Sequence, residues 1–212
     1  IANLISSWKN NMIRPNDING DTLVEQELRE VYEKYESIKE QENLYDFDDM
    51  LLETYHLLKF RPDVLKKYQS QFRYILCDEF QDTCMVQYAI IKMLAEPSNN
   101  LCICGDDMQT IYGFRSASSS FMIDFDKVYP NCKKIIMDIN YRSGPSVVGF
   151  ANAIIKHNEK QIKKTLKTAN ADNHDIYFAN PLNSDVEADW IVGDIKEKHA
   201  AGIALRDIAV LY

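Results

Sequence analysis

Hydrophobic and polar positions change period twice along this chain. From Thr22, the apolar residues Val24, Leu28, Val31, Tyr32, Tyr35 and Ile38 recur three or four apart, with Glu and Lys filling the other face through Glu42. That spacing predicts a long amphipathic helix that serves as a packing element. Thr22 and Glu25 stand as N-cap and third residue of a capping box, which places its start. A second helix is predicted after Asp46, where Asp46, Asp48 and Asp49 suit a helix N-terminus and Met50, Leu51, Leu52, Tyr55 and Leu58 supply its apolar face, ending near Pro62. Capping is read as the role of these aspartates, with metal ligation as the alternative.

Beyond Arg73 the pattern shifts to short apolar runs separated by helical stretches. Tyr74-Ile75-Leu76-Cys77, Leu101-Cys102-Ile103-Cys104 and Lys134-Ile135-Ile136-Met137 each have the length of a strand buried on both faces. Residues 86–94 and 118–128 between them read as helices, so the order implies an α/β fold with a parallel sheet and crossover connections. After Gly144-Pro145 comes a helix over 146–158, then a basic run with Lys156, Lys160, Lys163, Lys164 and Lys167. This run reads as a solvated face, with phosphate contact as the alternative. A strand over 176–179, a helix over 186–199 and a strand over 208–212 then suggest the start of a second α/β unit, joined near Arg142 to Pro145.

Composition changes this picture little. With 46% hydrophobic and 26% charged residues the chain has the material for an ordinary soluble core. A formal charge of -8 argues against a uniformly basic DNA-binding surface but leaves room for a local strand-binding groove. The five cysteines form no CxxC pair and fall mostly in apolar runs, which reads as reduced, buried thiols in a cytoplasmic protein without a zinc site. No apolar run reaches the ~20 residues that span a bilayer. Ile1 in place of an initiator methionine, and the strand-like run that closes on Tyr212, read as an internal fragment.

Candidate chemistry collects at the carboxyl ends of the predicted strands, where parallel sheets bind ligands. The first strand runs into Asp78-Glu79, a pair suited to nucleotide hydrolysis: one carboxylate holds Mg²⁺ and the other polarises the attacking water. A bare Asp-Glu pair is common and is usually a cap or a surface turn. The second strand runs into Gly105-Asp106-Asp107-Met108-Gln109, and the third is followed by Asn140-Tyr141-Arg142-Ser143. Gln109 could orient water or sense a terminal phosphate, and Arg142 could supply fixed charge to the transition state or form an interdomain salt bridge. Tyr112-Gly113-Phe114-Arg115 offers two aromatics and a guanidinium, fit for stacking on single-stranded bases or for a role in a core or turn.

Taken together, Asp78-Glu79-Phe80-Gln81-Asp82-Thr83, the run from Gly105 to Arg115 and Asn140-Tyr141-Arg142-Ser143 resemble motifs II, III and IV of the UvrD/Rep/PcrA helicases of superfamily one, in order and in spacing. Ser7-Trp8-Lys9-Asn10 and Phe47-Asp48-Asp49 are similar to helical-insertion and junction segments of that family. The resemblance implies a P-loop NTPase type of fold, a RecA-like parallel sheet flanked by helices with an N-terminal helical portion. Residues 1–44 would be part of a helical insertion, 45–140 the C-terminal part of the first RecA-like motor domain and 141–212 the start of the second. It further implies a 3′-to-5′ translocase of repair or replication, with ATP in the cleft between the motor domains and single-stranded DNA or a single-strand/duplex junction as partner. By matched position Asp78 would hold Mg²⁺, Glu79 would activate water, and Gln109 would couple the γ-phosphate to DNA. Arg142 would contact that phosphate and Tyr141 would stack on adenine. Tyr112, Phe114 and Arg115 would touch the DNA strand.

The chain departs from the family pattern at Met108, where an acid is usual, at Phe114, often tryptophan, at Ser116, often glycine, and at Ile139, usually glutamine. It contains no GxxxxGK[ST] phosphate loop, so the chain by itself is expected neither to hydrolyse ATP nor to unwind DNA. Two other readings share these motifs: the motor of a RecB/AddA-like helicase-nuclease, and a DNA-binding regulatory module with a decayed ATPase.

Overall fold

The computed structural model describes residues 1–172 and 175–211. They form two compact units: 1–137 with 154–165, and 138–153 with 166–212. The coarse class is a helix-rich α/β chain with small parallel sheets.

The first unit opens with helices. α1 (Ala2–Asn10), α2 (Leu23–Glu42) and α3 (Phe47–Phe60) are followed by α4 (Pro62–Gln71), which starts on a proline whose missing N–H costs nothing at that position. The capping box of α2 is present: the Glu25 N–H donates to Thr22 Oγ1 at 3.2 Å and the Thr22 N–H to Glu25 Oε2 at 3.0 Å. Asp46 and Asp49 form the same reciprocal pair at the start of α3, with both bonds at 2.8 Å, so capping is the observed role of these carboxylates. The apolar stripe of α2 is corrected, because Val24, Val31, Tyr35 and Ile38 lie exposed. The face that packs is the flank carrying Tyr32 and Lys39, both buried, with Trp8 stacked on Tyr32 at 5.7 Å.

Charges sit inside this helical half. Lys9 is 1% exposed, and its ammonium lies 2.6 Å from Asp46, 2.5 Å from Asp49 and 3.5 Å from Glu36. Lys39 reaches the same three carboxylates at 3.0 to 3.1 Å and 2.6 Å. Tyr35 donates its hydroxyl to Asp46 at 2.8 Å and lies beneath both ammonium groups. Burial alone would raise the Asp46 and Asp49 carboxyls, but the bonds from both lysines outweigh it and hold them below the ordinary carboxylate range. Charges desolvated in this way are tolerable only because each meets several opposite partners.

β1 (Ile75–Cys77), α5 (Met85–Ala95) and β2 (Leu101–Ile103) follow, and the two strands pair in parallel with Ile75 opposite Leu101 and Cys77 opposite Ile103. Phe80 and Val86 are fully buried under this layer. Phe80 meets Phe125 and Tyr88 edge-on at 6.2 and 6.3 Å, and Tyr88 stacks on Phe121 at 4.6 Å. These aromatics seat α6 (Ser120–Ile123) and α7 (Phe125–Val128), two short helices where the sequence predicted one continuous helix. The break falls at Asp124, whose φ of -94° and ψ of 12° leave the helical region.

In the second unit β3 (Ile139–Asn140) pairs in parallel with β4 (Lys167–Thr168), and α8 (Pro145–Ile155) lies between them in sequence. Asn152 holds the backbone of Leu166 by two bonds, Nδ2 to its carbonyl at 2.8 Å and Oδ1 from its N–H at 3.1 Å. α9 (Ser184–Ala200) is capped by Asn183, whose Oδ1 accepts the Val186 N–H at 2.9 Å.

Three predicted strands are not formed among the described residues. Residues 134–137, 176–179 and 208–211 have no ladder partner, and Tyr212, the end of the last one, lies outside the described residues. A strand exists only through a neighbour's backbone bonds, and Ile135, Met137, Tyr177, Phe178 and Leu211 stand largely exposed. The expected three-stranded sheet is thus a pair of two-stranded ones. The cysteines are free, but Cys102 and Cys104 are exposed and only Cys84 is buried, because the outward face of β2 and the residue after it are uncovered.

Candidate functional site

Asp78 and Glu79 stand directly after β1, both exposed. Asp78 Oδ1 accepts the Glu79 N–H at 2.9 Å, which turns the chain sharply, and Glu79 takes a left-handed backbone with φ of 49° and ψ of 40°. A non-glycine residue held there stores strain, a recurring property of functional turns. The Glu79 carboxylate is fixed by Gln81, whose Nε2 donates to Oε2 at 2.7 Å.

Gln81 is the residue that sequence reasoning left without a role. It is 1% exposed, and its Oε1 accepts the backbone N–H of Asp106 at 3.1 Å. One buried amide thereby joins the turn after β1 to the turn after β2. Gly105 makes the approach possible, since a Cβ there would come 2.3 Å from Gln81 Oε1. The signal in the sequence was this pair, a glutamine two residues beyond the acid and a glycine at the next strand end.

Gln109 is exposed at the end of a short helical turn, 107–109, and donates Nε2 to Asp106 Oδ2 at 3.0 Å. Asp106 also receives the Met108 N–H at 3.1 Å and the ammonium of Lys164 at 2.6 Å. Burial would raise this carboxyl; the bonds from Lys164, Gln109 and Met108 outweigh it and hold it below the ordinary value. Glu79, Gln81, Asp106 and Gln109 are therefore one hydrogen-bonded set across two adjacent strand ends.

Tyr112, Phe114 and Arg115 lie exposed on the next turn. The ring centroids are 5.9 Å apart, and the Arg115 guanidinium sits 5.4 Å from one and 5.5 Å from the other. The turn closes on Ser116 at a φ of 62°, and Ser116 Oγ meets Ser7 Oγ of α1 at 2.9 Å. At that backbone angle glycine is the unstrained residue.

Tyr141 and Arg142 belong to the second unit and follow β3, both exposed. Asn140 Oδ1 accepts the N–H groups of Arg142 and Ser143 at 2.9 and 2.8 Å, an Asx turn that directs the chain from strand to helix. Thr168 Oγ1 donates to the Ser143 carbonyl at 2.6 Å and braces that turn from β4.

Among the described residues no helix is long and apolar enough to cross a membrane. Residues 1–130 match the family profile described as the UvrD/REP helicase N-terminal domain, and residues 135–212 match that of the UvrD-like helicase C-terminal domain. The chain is 43% identical over 208 residues to YjcD of Bacillus subtilis (strain 168), covering 98% of this chain and 27% of that protein. It is 37% identical over 215 residues to the ATP-dependent DNA helicase PcrA of Leuconostoc citreum, covering all of this chain and 29% of the relative. The PcrA of Staphylococcus epidermidis (strain ATCC 12228 / FDA PCI 1200) is 35% identical over 210 residues, again with 29% of its length covered. The chain thus spans little more than a quarter of these relatives, and with both profiles matched across nearly its whole length it belongs to the UvrD/REP helicase family.

Proposed function

We propose that this chain is part of an ATP-dependent DNA helicase that moves 3′-to-5′ along single-stranded DNA, and that the turns after β1 and β2 are its hydrolytic strand ends. In this reading residues 1–44 belong to a helical insertion, 45–140 to the first RecA-like motor domain and 141–212 to the second. One observation carries the reading: in a chain of this family, Gln81 and Asp106 tie Glu79 and Gln109 into a single bonded set. Glu79 takes the role of general base, held in orientation by Gln81 so that its carboxylate meets an attacking water without reorganising.

Asp78 is an exposed carboxylate at a parallel strand end, a donor of the type that Mg²⁺ takes, and it would hold the ion. When bound, Mg²⁺ supplies charge neutralisation at the phosphate oxygens. Gln109 reports on the terminal phosphate, Arg142 contacts it and Tyr141 stacks on the adenine. Tyr112 and Phe114 stack on bases without regard to sequence, with Arg115 against their faces. This sequence contains no GxxxxGK[ST] phosphate cradle, so the 212-residue chain alone turns over no ATP.

The test is ATP turnover by a whole protein containing this chain, with and without single-stranded oligonucleotides. Turnover that rises with single strands, and strand displacement only on substrates with a 3′ single-stranded tail, are expected. Turnover indifferent to DNA, or robust turnover by the isolated chain, would overturn the reading.

A further inference from the structure

Of the lysines in the basic run, Lys156, Lys160, Lys163 and Lys167 are exposed, but Lys164 is not. Its side chain is 10% exposed, with the ammonium 2.6 Å from Asp106 Oδ1 and 3.1 Å from Asp107 Oδ1. Close by, the backbone N–H of Ile162 donates to Asp107 Oδ2 at 2.8 Å. The segment 154–165 thus packs within the first unit, while the chain on either side of it, 138–153 and 166 onward, belongs to the second.

We propose that Lys164 is a positioning residue for nucleotide hydrolysis, holding Gln109 through Asp106 and Glu79 through Asp106 and Gln81. The route is continuous. Lys164 bonds Asp106, the Asp106 N–H bonds Gln81 Oε1 at 3.1 Å, and Gln81 Nε2 bonds Glu79 at 2.7 Å. The other oxygen of Asp106 holds Gln109. Two adjacent carboxylates, one of them buried, repel each other unless a cation lies between them, and Lys164 is that cation. Burial would lower the Lys164 ammonium, yet the two aspartates raise it above its ordinary value, so it stays charged throughout the working range. Without it the turn 106–109 separates its carboxylates and releases both the Gln109 amide and the anchor of Gln81. The proposal rests on Glu79 and Gln109 acting in ATP turnover.

The experiment measures basal and single-strand-stimulated ATP turnover of a whole protein containing this chain, separating the stimulated kcat from the DNA concentration that gives half stimulation. Lys164→Met is expected to lower stimulated kcat about tenfold, the worth of one charge-assisted contact, with half-stimulation shifted less than about threefold. Lys164→Arg should recover most of the loss. Asp106→Asn keeps the shape of the turn and should repeat the loss if Lys164→Met folds poorly. Adding Lys164→Met to Gln81→Ala should cost less than the two single losses multiplied, because both variants cut the branch to Glu79 and Lys164→Met alone also frees Gln109. Wild-type stimulated turnover in Lys164→Met, or losses that multiply in the double variant, would overturn the proposal. Unchanged turnover in Glu79→Gln would instead locate the failure in the hydrolytic reading itself, and the proposal would fall with it.

Discussion

Gly105 offers the sharpest test of the link between the two strand ends. Its φ is not in the left-handed region, so the backbone would accept alanine, and the cost lies in contact alone. The added Cβ would fall 2.3 Å from Gln81 Oε1 and 3.1 Å from the Phe80 nitrogen. Gln81 is fully buried and has to withdraw, which orphans the Asp106 N–H at ~1–3 kcal/mol and breaks its bond to Glu79 at ~1 kcal/mol. Less backbone freedom in the unfolded chain returns about 0.5 kcal/mol, so Gly105→Ala should destabilise by about 1.5–3.5 kcal/mol. Urea unfolding followed by Trp8 fluorescence, with Trp190 replaced by Phe, reads the unit that contains the site. In a Gln81→Ala background the 2.3 Å contact is gone and only the 3.1 Å approach to the Phe80 nitrogen remains, so the same substitution should cost less than about 1 kcal/mol. Equal cost in the two backgrounds would refute Gln81 as the contact that requires glycine.

Further outcomes follow from the same geometry. Lys9→Met keeps the volume but leaves Asp46, Asp49 and Glu36 to Lys39 alone, so a loss of roughly 2–4 kcal/mol is expected in urea unfolding, partly recovered by adding Asp49→Asn. The carboxyls of Asp46, Asp49 and Asp106 lie below their ordinary value of 3.8 when folded, so their contribution is complete above that pH and is lost as pH falls through the lower folded values. A urea midpoint that is flat near neutrality and drops steeply below about pH 4 is the expected profile; a midpoint already falling between pH 7 and 5 would contradict it. Phe114→Ala, removing a ring that is 71% exposed, should weaken single-strand binding by the whole protein roughly tenfold to a hundredfold, equally for thymine and adenine tracts. Fluorescence anisotropy measures this, and a loss confined to one base would point to direct readout instead.

Local signals in the sequence were legible wherever they rest on short-range chemistry. The reciprocal pairs Thr22/Glu25 and Asp46/Asp49 mark helix starts because both partners lie within one turn, and the structure forms both. The strand end at Cys77 was likewise readable from an apolar run stopping at an acid, while the second strand ends at Ile103, one residue before the Cys104 that its apolar run predicts. Strands at 134–137, 176–179 and 208–211 failed because a strand is a property of two segments, and an apolar run alone does not say where its partner lies. The stripe on α2 misled for a related reason: periodicity locates an apolar face but not the flank that neighbours cover, here the one with Tyr32 and Lys39. Lys164 looked like one more solvated lysine in a basic run, and only its approach to Asp106 and Asp107, 58 and 57 residues away in sequence, distinguishes it. Gln81 was visible within its motif, but its two bonds span separate strand ends.

The central claim is that Glu79, held by Gln81, acts as the base in ATP hydrolysis. The direct measurement is steady-state ATP turnover and single-strand affinity of a whole protein carrying Glu79→Gln, side by side with wild type. The amide keeps the shape of the side chain but cannot accept a proton, so turnover should fall by at least about a hundredfold while DNA affinity stays within about threefold. Retained turnover would contradict the account.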